Sequence, residues 1–165
     1  MILLAVDPGN VITGYVLLDA ESEVVMEAGE ATNEAFRDRL RTGRDHVKHG
    51  ARLVLEQISN YGKMPGRTTF DTCTWSGVFA EAWERTTGQK AEWMPRTDVK
   101  EHLCRKRNAG DKHVRAALIA RLGPQGTTAN PGPLYGVTGH KLAALGVAVT
   151  YADQEALKAS LRRTA

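Results

Sequence analysis

The sequence has no long apolar stretch. No run of about 18 apolar residues occurs in the 165-residue chain, so nothing supports a membrane span. The first residues carry no basic region ahead of their apolar run, and we therefore expect no secretory signal peptide. A GxxxxGK[ST] phosphate loop is also missing, which argues against a P-loop enzyme. The composition, 42% apolar and 25% charged, is typical of one globular domain with a sizeable core.

Cysteine is scarce, and the net charge is small. Cys73 and Cys104 do not show the spacing of a metal site, so we interpret them as free thiols and expect a reducing, cytoplasmic location. The formal charge of +3 is concentrated between Arg96 and Arg115. The basic residues of this segment are Arg96, Lys100, Arg105, Lys106, Arg107, Lys112 and Arg115. Such a cluster indicates either a polyanion-binding surface or a solvated charged face.

Apolar runs and turn residues predict an α/β domain. Strands are expected at 2–6, 13–19, about 24–29, 52–55 and 91–94. Helices are expected at 33–49, 68–87, 97–103, 111–122 and 140–152. This order gives a mixed five-stranded sheet, a three-strand antiparallel meander plus two parallel strands, flanked by helices. We assign residues 1–152 to this domain and residues 153–165 to a basic, partly helical C-terminal tail.

Two acidic residues end short apolar strands. Asp7 follows the run that starts at Ile2 and is itself followed by Pro8-Gly9, and Glu56 follows Arg52-Leu53-Val54-Leu55. If the two strands are neighbours, the carboxylates meet at one end of the sheet, where their repulsion favours a divalent cation such as Mg²⁺. Such ions activate water in phosphodiester hydrolysis. The alternatives are that Asp7 only opens a turn and that Glu56 only faces solvent.

Two further candidates lie at predicted helix starts. His140 follows Gly139, and a histidine gains nothing from the helix dipole at that end. We therefore interpret His140 as a metal ligand or a proton carrier, with a structural or surface histidine as the alternative. Asp111 either caps its helix or joins the acidic residues of the site.

The loop after Glu56 is the expected place for substrate contact. It offers Tyr61, Lys63 and Arg67, and a tyrosine on a basic loop can stack on a base. The alternative is a surface loop with an incidental aromatic residue. The helix that follows carries Trp75, Val78, Phe79 and Trp83, which indicate either a dimer face or core.

Taken in order, these motifs resemble those of the RuvC-type Holliday-junction resolvases, members of the RNase H-like superfamily. The matching motifs are Asp7-Pro8-Gly9, Thr13-Gly14-Tyr15, Leu55-Glu56-Gln57, Pro95-Arg96 with Val99-Lys100, Asp111-Lys112 with Val114, and His140 with Ala144-Leu145-Gly146-Val147-Ala148-Val149-Thr150. They extend over most of the chain, and the ordered set is more specific than any one motif.

The resemblance implies a Mg²⁺-dependent homodimeric endonuclease, with Mn²⁺ able to substitute, in which each subunit nicks one of two opposed strands of a four-way DNA junction. It implies that Asp7 and Glu56 bind the metal, that His140 holds the third ligand position, and that Asp111 is a further catalytic candidate. The expected DNA-binding residues are Tyr61, Lys63, Arg67, Arg96, Lys100, Arg105, Lys106, Arg107, Lys112, Arg115 and Lys141.

The chain departs from the family pattern at two places. The family commonly has an acid one helical turn after the His140 position, where this chain has Ala143. It also often has an aromatic residue two or three positions after the glutamate, where Ile58 and Ser59 stand here. Similar departures are familiar in phage-encoded relatives, so we expect a bacterial or phage-infected host cell.

Other functions fit parts of the same pattern. The chain could bind branched DNA with impaired catalysis, or it could be an RNase H-like nuclease for flaps or RNA–DNA hybrids. An actin-like ATPase shares the opening strand and turn, but it needs two such domains and the chain is too short for them.

Overall fold

The computed structural model describes residues 1–59 and 64–164. Its strands are β1 (Ile2–Asp7), β2 (Ile12–Asp19), β3 (Val24–Thr32), β4 (Arg52–Gln57) and β5 (Glu92–Pro95). Its helices are α1 (Asn33–Arg41), α2 (Arg44–His49), α3 (Arg67–Thr87), α4 (Arg96–Cys104), α5 (Asp111–Leu122) and α6 (Gly139–Thr164). No helix in these two ranges has the length and apolar character needed to cross a membrane.

The five strands form one sheet in the order β3-β2-β1-β4-β5. The β1–β2 and β2–β3 pairs are antiparallel, whereas the β1–β4 and β4–β5 pairs are parallel. This arrangement confirms the predicted meander plus two parallel strands. Val6 pairs with Leu55 across the β1–β4 ladder, so the next residue of each strand, Asp7 and Glu56, reaches the same edge of the sheet.

A separate apolar core covers each face of the sheet. One core packs β-strand residues such as Leu3 and Ala5 against α4, α5 and α6. The other packs Leu4 and Val6 against α1 and α3. Because side chains alternate along a strand, the Asp7 side chain lies on the same face of the sheet as Leu3 and Ala5, which is the face that α6 covers. The sheet therefore directs this acid toward the N-terminal end of α6.

Two predicted helices have different limits in the structure. The single helix expected over 33–49 is two helices, because Gly43 adopts a left-handed conformation (φ 61°) between α1 and α2. The helix expected over 140–152 does not stop there. It continues through most of the segment that we described as a tail, as one helix of 26 residues.

Of the two alternatives for the apolar residues of α3, a dimer face or core, the structure shows core for two of the four. Phe79 and Trp83 are fully buried in the core between the sheet and α3. Phe79 meets the ring of Phe36 edge-on, with 5.1 Å between the ring centroids. Helical spacing alone does not say which layer an apolar stripe contacts, and here that layer is the protein's own sheet.

Candidate functional site

The turn after β1 is held by a buried polar network. Thr13 Oγ1 donates to Asn33 Oδ1 at 2.6 Å, and Asn33 Nδ2 donates to the carbonyl oxygen of Gly9 at 3.0 Å. A Cβ at Gly9 would lie 2.1 Å from the carbonyl oxygen of Ile12, so the turn requires glycine there. The network fixes the segment that follows Asp7 and thereby the position of Asp7 at the strand end.

Asp7 and Glu56 are both buried, with 8% and 6% of their surfaces exposed. Burial, and after it the neighbouring Asp7 carboxylate, raise the pKa of Glu56 to about 8. Burial also raises the pKa of Asp7. Within the described residues, Glu56 Oε2 is buried and has no hydrogen-bond partner. Two buried acids with an unpartnered oxygen are short of positive charge, and a bound cation would supply it.

His140 contacts Asp7 directly. His140 Nδ1 lies 2.7 Å from Asp7 Oδ2, and about half of the histidine side chain is exposed. With Asp7 ionised, Nδ1 is the donor, which leaves Nε2 as the ring nitrogen that can accept a proton. A Cβ at Gly14 would lie 2.4 Å from His140 Cβ, so the glycine on β2 allows α6 to approach this closely. The proton-carrier role predicted for His140 therefore falls on Nε2, whereas the ligand role requires Nδ1 to release Asp7.

Arg96, the first residue of α4, is bound to two acids of the site. Its Nη1 donates to Glu56 Oε1 at 2.9 Å, and its Nη2 donates to Asp111 Oδ1 at 3.0 Å. Lys100 Nζ lies 3.7 Å from the same Asp111 oxygen. Gly110, not Asp111, is the N-cap of α5. Asp111 is thus linked to the carboxylate pair through Arg96, and its catalytic role stays a prediction.

Two clefts meet at these residues, and Asp7, Glu56, Arg96 and His140 line both. The first cleft, of about 550 Å³, is lined by both basic and apolar residues. Its basic residues are Lys100, Lys112 and Arg115, and its apolar residues are Val99, Val114, Leu142 and Ala143. The second, of about 350 Å³, is lined by the hydroxyl-bearing residues Ser59, Thr68, Thr69 and Thr72. A single DNA strand that crossed the acids would contact cations in one cleft and neutral polar groups in the other.

The other described residues that were predicted to bind DNA line neither cleft. Arg105, Lys106 and Arg107 are exposed at the end of α4, where Arg107 pairs with Asp98 and Glu101. Arg67 is exposed at the start of α3. Lys141 is partly exposed on α6. Tyr61 and Lys63 lie outside the described residues.

Sequence reasoning missed the hydroxyl-lined cleft and the ion pairs of Arg96. Serine and threonine spread over a loop and a helix give no pattern that marks a cleft. A signal for Arg96 existed, because Arg96 directly follows β5, and β5 was predicted to lie in the same sheet as the strand that ends on Glu56.

The donor atoms suit one hard divalent cation. Asp7 and Glu56 provide carboxylate oxygens, one of them unpartnered, and Mg²⁺ keeps several of its own waters when it binds to one or two carboxylates. No group of three or more histidine, cysteine or acidic side chains is arranged to enclose a metal within residues 1–59 and 64–164. The site is therefore an open carboxylate pair with a neighbouring imidazole.

No protein-family model and no curated protein sequence matches the chain. Among solved structures it is similar to RuvC of Thermus thermophilus, with a TM-score of 0.70 and 16% identity over 96% of this chain and 97% of that one. The chain has the RuvC fold. A second structure, T. thermophilus RuvC in complex with a Holliday junction substrate, gives a TM-score of 0.71 at 14% identity over 96% of both chains. The predicted RNase H-like, RuvC-type architecture is thereby confirmed.

Proposed function

We propose that this protein is a divalent-metal-dependent endonuclease that resolves four-way DNA junctions by nicking two opposed strands. The observation that carries the proposal is the buried pair of Asp7 and Glu56, with His140 hydrogen-bonded to Asp7, at one edge of a RuvC fold. A RuvC of the same fold has been solved in complex with a Holliday junction substrate, which supports branched DNA as the substrate class.

Asp7 and Glu56 would hold the metal ion, and His140 would become a third donor by exchanging the bond between its Nδ1 and Asp7 for a bond to the ion. Mg²⁺ is the proposed ion, and Mn²⁺ should substitute because it accepts the same oxygen and imidazole ligands. When bound, the ion supplies an activated water and positive charge for the leaving oxygen. The repulsion between the two buried acids and the unpartnered Glu56 Oε2 support this assignment.

The protein's own side chains position the substrate and handle protons. Asp7 holds the His140 imidazole through Nδ1, so that Nε2 can accept a proton. Lys112 and Arg115 line the larger cleft and would bind backbone phosphates without reading sequence. Contacts of Tyr61, Lys63, Arg67, Lys141 and the Arg105–Arg107 segment with DNA remain predictions.

A homodimer would explain how a basic nuclease spares ordinary duplex DNA. Two identical sites related by a two-fold axis can act together only on two suitably placed strands, which a four-way junction offers. The partly buried Trp75 and Val78 on α3 remain candidates for that interface. A cytoplasmic location and a phage origin also remain predictions.

A second function, branched-DNA binding without cleavage, is favoured by two observations. Ala143 lines the cleft where the resemblance leads us to expect an acid, and Arg96 already neutralises Glu56 in part. Both features reduce the capacity of the site to bind metal.

The deciding experiment is incubation of an immobile four-way junction, labelled on each strand in turn, with Mg²⁺ or Mn²⁺. Nicks mapped at symmetric nucleotides of opposed strands would support resolution. Tight junction binding with no nick in either metal would support the binding protein instead. Equal cutting of flaps or RNA–DNA hybrids at the same salt concentration would indicate a broader RNase H-like nuclease.

A further inference from the structure

Arg96 brings a permanent positive charge to the carboxylate pair. Its guanidinium spans Glu56 Oε1 and Asp111 Oδ1, and only 31% of the Arg96 side chain is exposed. The position is imposed by the fold, because Arg96 opens α4 directly after β5, the parallel neighbour of β4. A guanidinium stays protonated at any pH at which the protein is folded, so this charge is always present.

The cleft offers few ligands for a second metal ion. Two-metal nuclease sites place their ions about 3.5–4 Å apart, which requires several carboxylates around and between them. Ala143, one turn along α6 from His140, lines the cleft without a donor atom. Asp111 is the other acid of this cleft, and its carboxylate is already bound by Arg96 and Lys100. With both acids ionised, as metal binding requires, Asp7, Glu56 and Arg96 together carry a formal charge of minus one.

We propose that this site takes one divalent cation per chain and that the Arg96 guanidinium supplies the second positive charge. The inference rests on the proposed function, because it assumes that Asp7 and Glu56 are metal ligands. A phosphate that enters the cleft would then face one metal ion and one guanidinium. Planar guanidinium groups suit that task because they bind phosphate oxygens in pairs.

The test is a count of bound Mn²⁺ on the full chain, from the electron paramagnetic resonance signal of the free ion at one fixed pH. A chain with both Asp7→Asn and Glu56→Gln serves as the blank for binding elsewhere on the surface. After subtraction we expect one ion per chain. Arg96→Lys keeps the charge and should leave the count at one.

Arg96→Gln should bind one ion with a dissociation constant about tenfold lower, because a repelling unit charge near the ion has been removed. Arg96→Gln combined with Ala143→Asp should bind two ions, since it removes the guanidinium and adds a carboxylate. Arg85→Gln is the matched control, because it removes one positive charge from an exposed position at the end of α3. It should change neither the count of bound ions nor the dissociation constant. Thermal melting shows which variants are folded. If the double variant is not folded, the affinity of Arg96→Gln for Mn²⁺ tests the inference by itself.

Two ions on the unaltered chain, no specific ion at all, or an unchanged affinity in Arg96→Gln would overturn the inference. So would a folded double variant that still binds one ion. The two proposals fail in different ways. One bound ion without junction cleavage would overturn the nuclease proposal and leave this inference standing. Two bound ions together with symmetric nicks would support the nuclease proposal and overturn this inference.

Discussion

His140 Nδ1 hydrogen-bonds Asp7 Oδ2 at 2.7 Å, although the two residues are 133 positions apart. The contact arises because α6 crosses the face of the sheet to which the Asp7 side chain belongs, and because Gly14 on β2 leaves room for the start of that helix. Nδ1 of the histidine is therefore bound to Asp7, and Nε2 is left to accept a proton.

Asp7→Asn and Glu56→Gln should each abolish junction cleavage and leave junction binding nearly unchanged. Each change removes a proposed metal ligand, while the basic residues that line the larger cleft are unchanged. Single-turnover cleavage and a gel-shift titration at one salt concentration measure the two effects. Asp38→Asn, a loss of the same charge on exposed α1, is the control and should cleave normally. Normal cleavage by Asp7→Asn would contradict the nuclease proposal.

His140→Ala should lower the cleavage rate by about 10²–10⁴, the usual range for losing a positioned proton-transfer group. The side chain is half exposed, so the free energy of unfolding should change little. The measurement is the single-turnover rate against pH, together with urea denaturation of the same variant. A rate loss that is fully reversed by more Mn²⁺ would identify His140 as a ligand, and a pH-profile change that metal does not reverse would identify it as a proton carrier.

Gly14→Ala should destabilise the protein by about 1–3 kcal/mol, the usual cost of forcing a methyl group into a filled space. The added Cβ would lie 2.4 Å from His140 Cβ and 2.5 Å from its carbonyl carbon, so α6 must move away from β2. Cleavage should fall as well, because the contact between His140 and Asp7 lengthens. Gly77→Ala on α3, where an added Cβ meets no atom within 4 Å, is the control and should not destabilise the protein.

The metal-free protein should lose stability as pH rises from about 4.5 to about 8. Burial and the Asp7 carboxylate raise the pKa of Glu56 from 4.5 to about 8, so over this interval the folded state keeps a proton that the unfolded state releases. Glu56→Gln should flatten the dependence and be more stable than the unaltered protein above pH 8.

Urea denaturation at about pH 5.5 and about pH 8.5, without divalent ions, measures this difference. Added Mg²⁺ should restore stability at the higher pH in the unaltered protein and not in Glu56→Gln. Parallel pH curves for the two proteins would show that Glu56 is not protonated in the folded state at neutral pH.

Lys112→Ala should weaken junction binding at every DNA sequence and reduce the slope of log affinity against log salt by about 1. Lys112 lines the larger cleft, where a backbone phosphate would release counterions on binding. Titrations at several salt concentrations measure the slope. Lys48→Ala, at an exposed position on α2 that lines neither cleft, is the control. An equal slope for both variants would remove Lys112 from the interface.

The carboxylate pair could be predicted because it follows from topology. Two apolar strands that each end on an acid place those acids together whenever the strands are parallel neighbours, as β1 and β4 are. The topology also places Arg96 near Glu56, but it does not say what Arg96 binds. In a basic segment, the sequence does not distinguish an arginine that pairs with an acid from one that binds DNA. Phe79 and Trp83 show the same limit for apolar residues, since their spacing fits a core and an interface equally well.

The site draws its side chains from β1, β4, α4, α5 and α6, and the residues that follow Asp7 depend on α1 as well. During synthesis, therefore, a growing polypeptide that has reached only the end of α5 contains both acids but not His140. If the protein is the nuclease proposed above, cutting activity would arise only after α6 has left the ribosome and docked on the sheet. The order of the elements along the chain would then prevent DNA cleavage by incomplete copies.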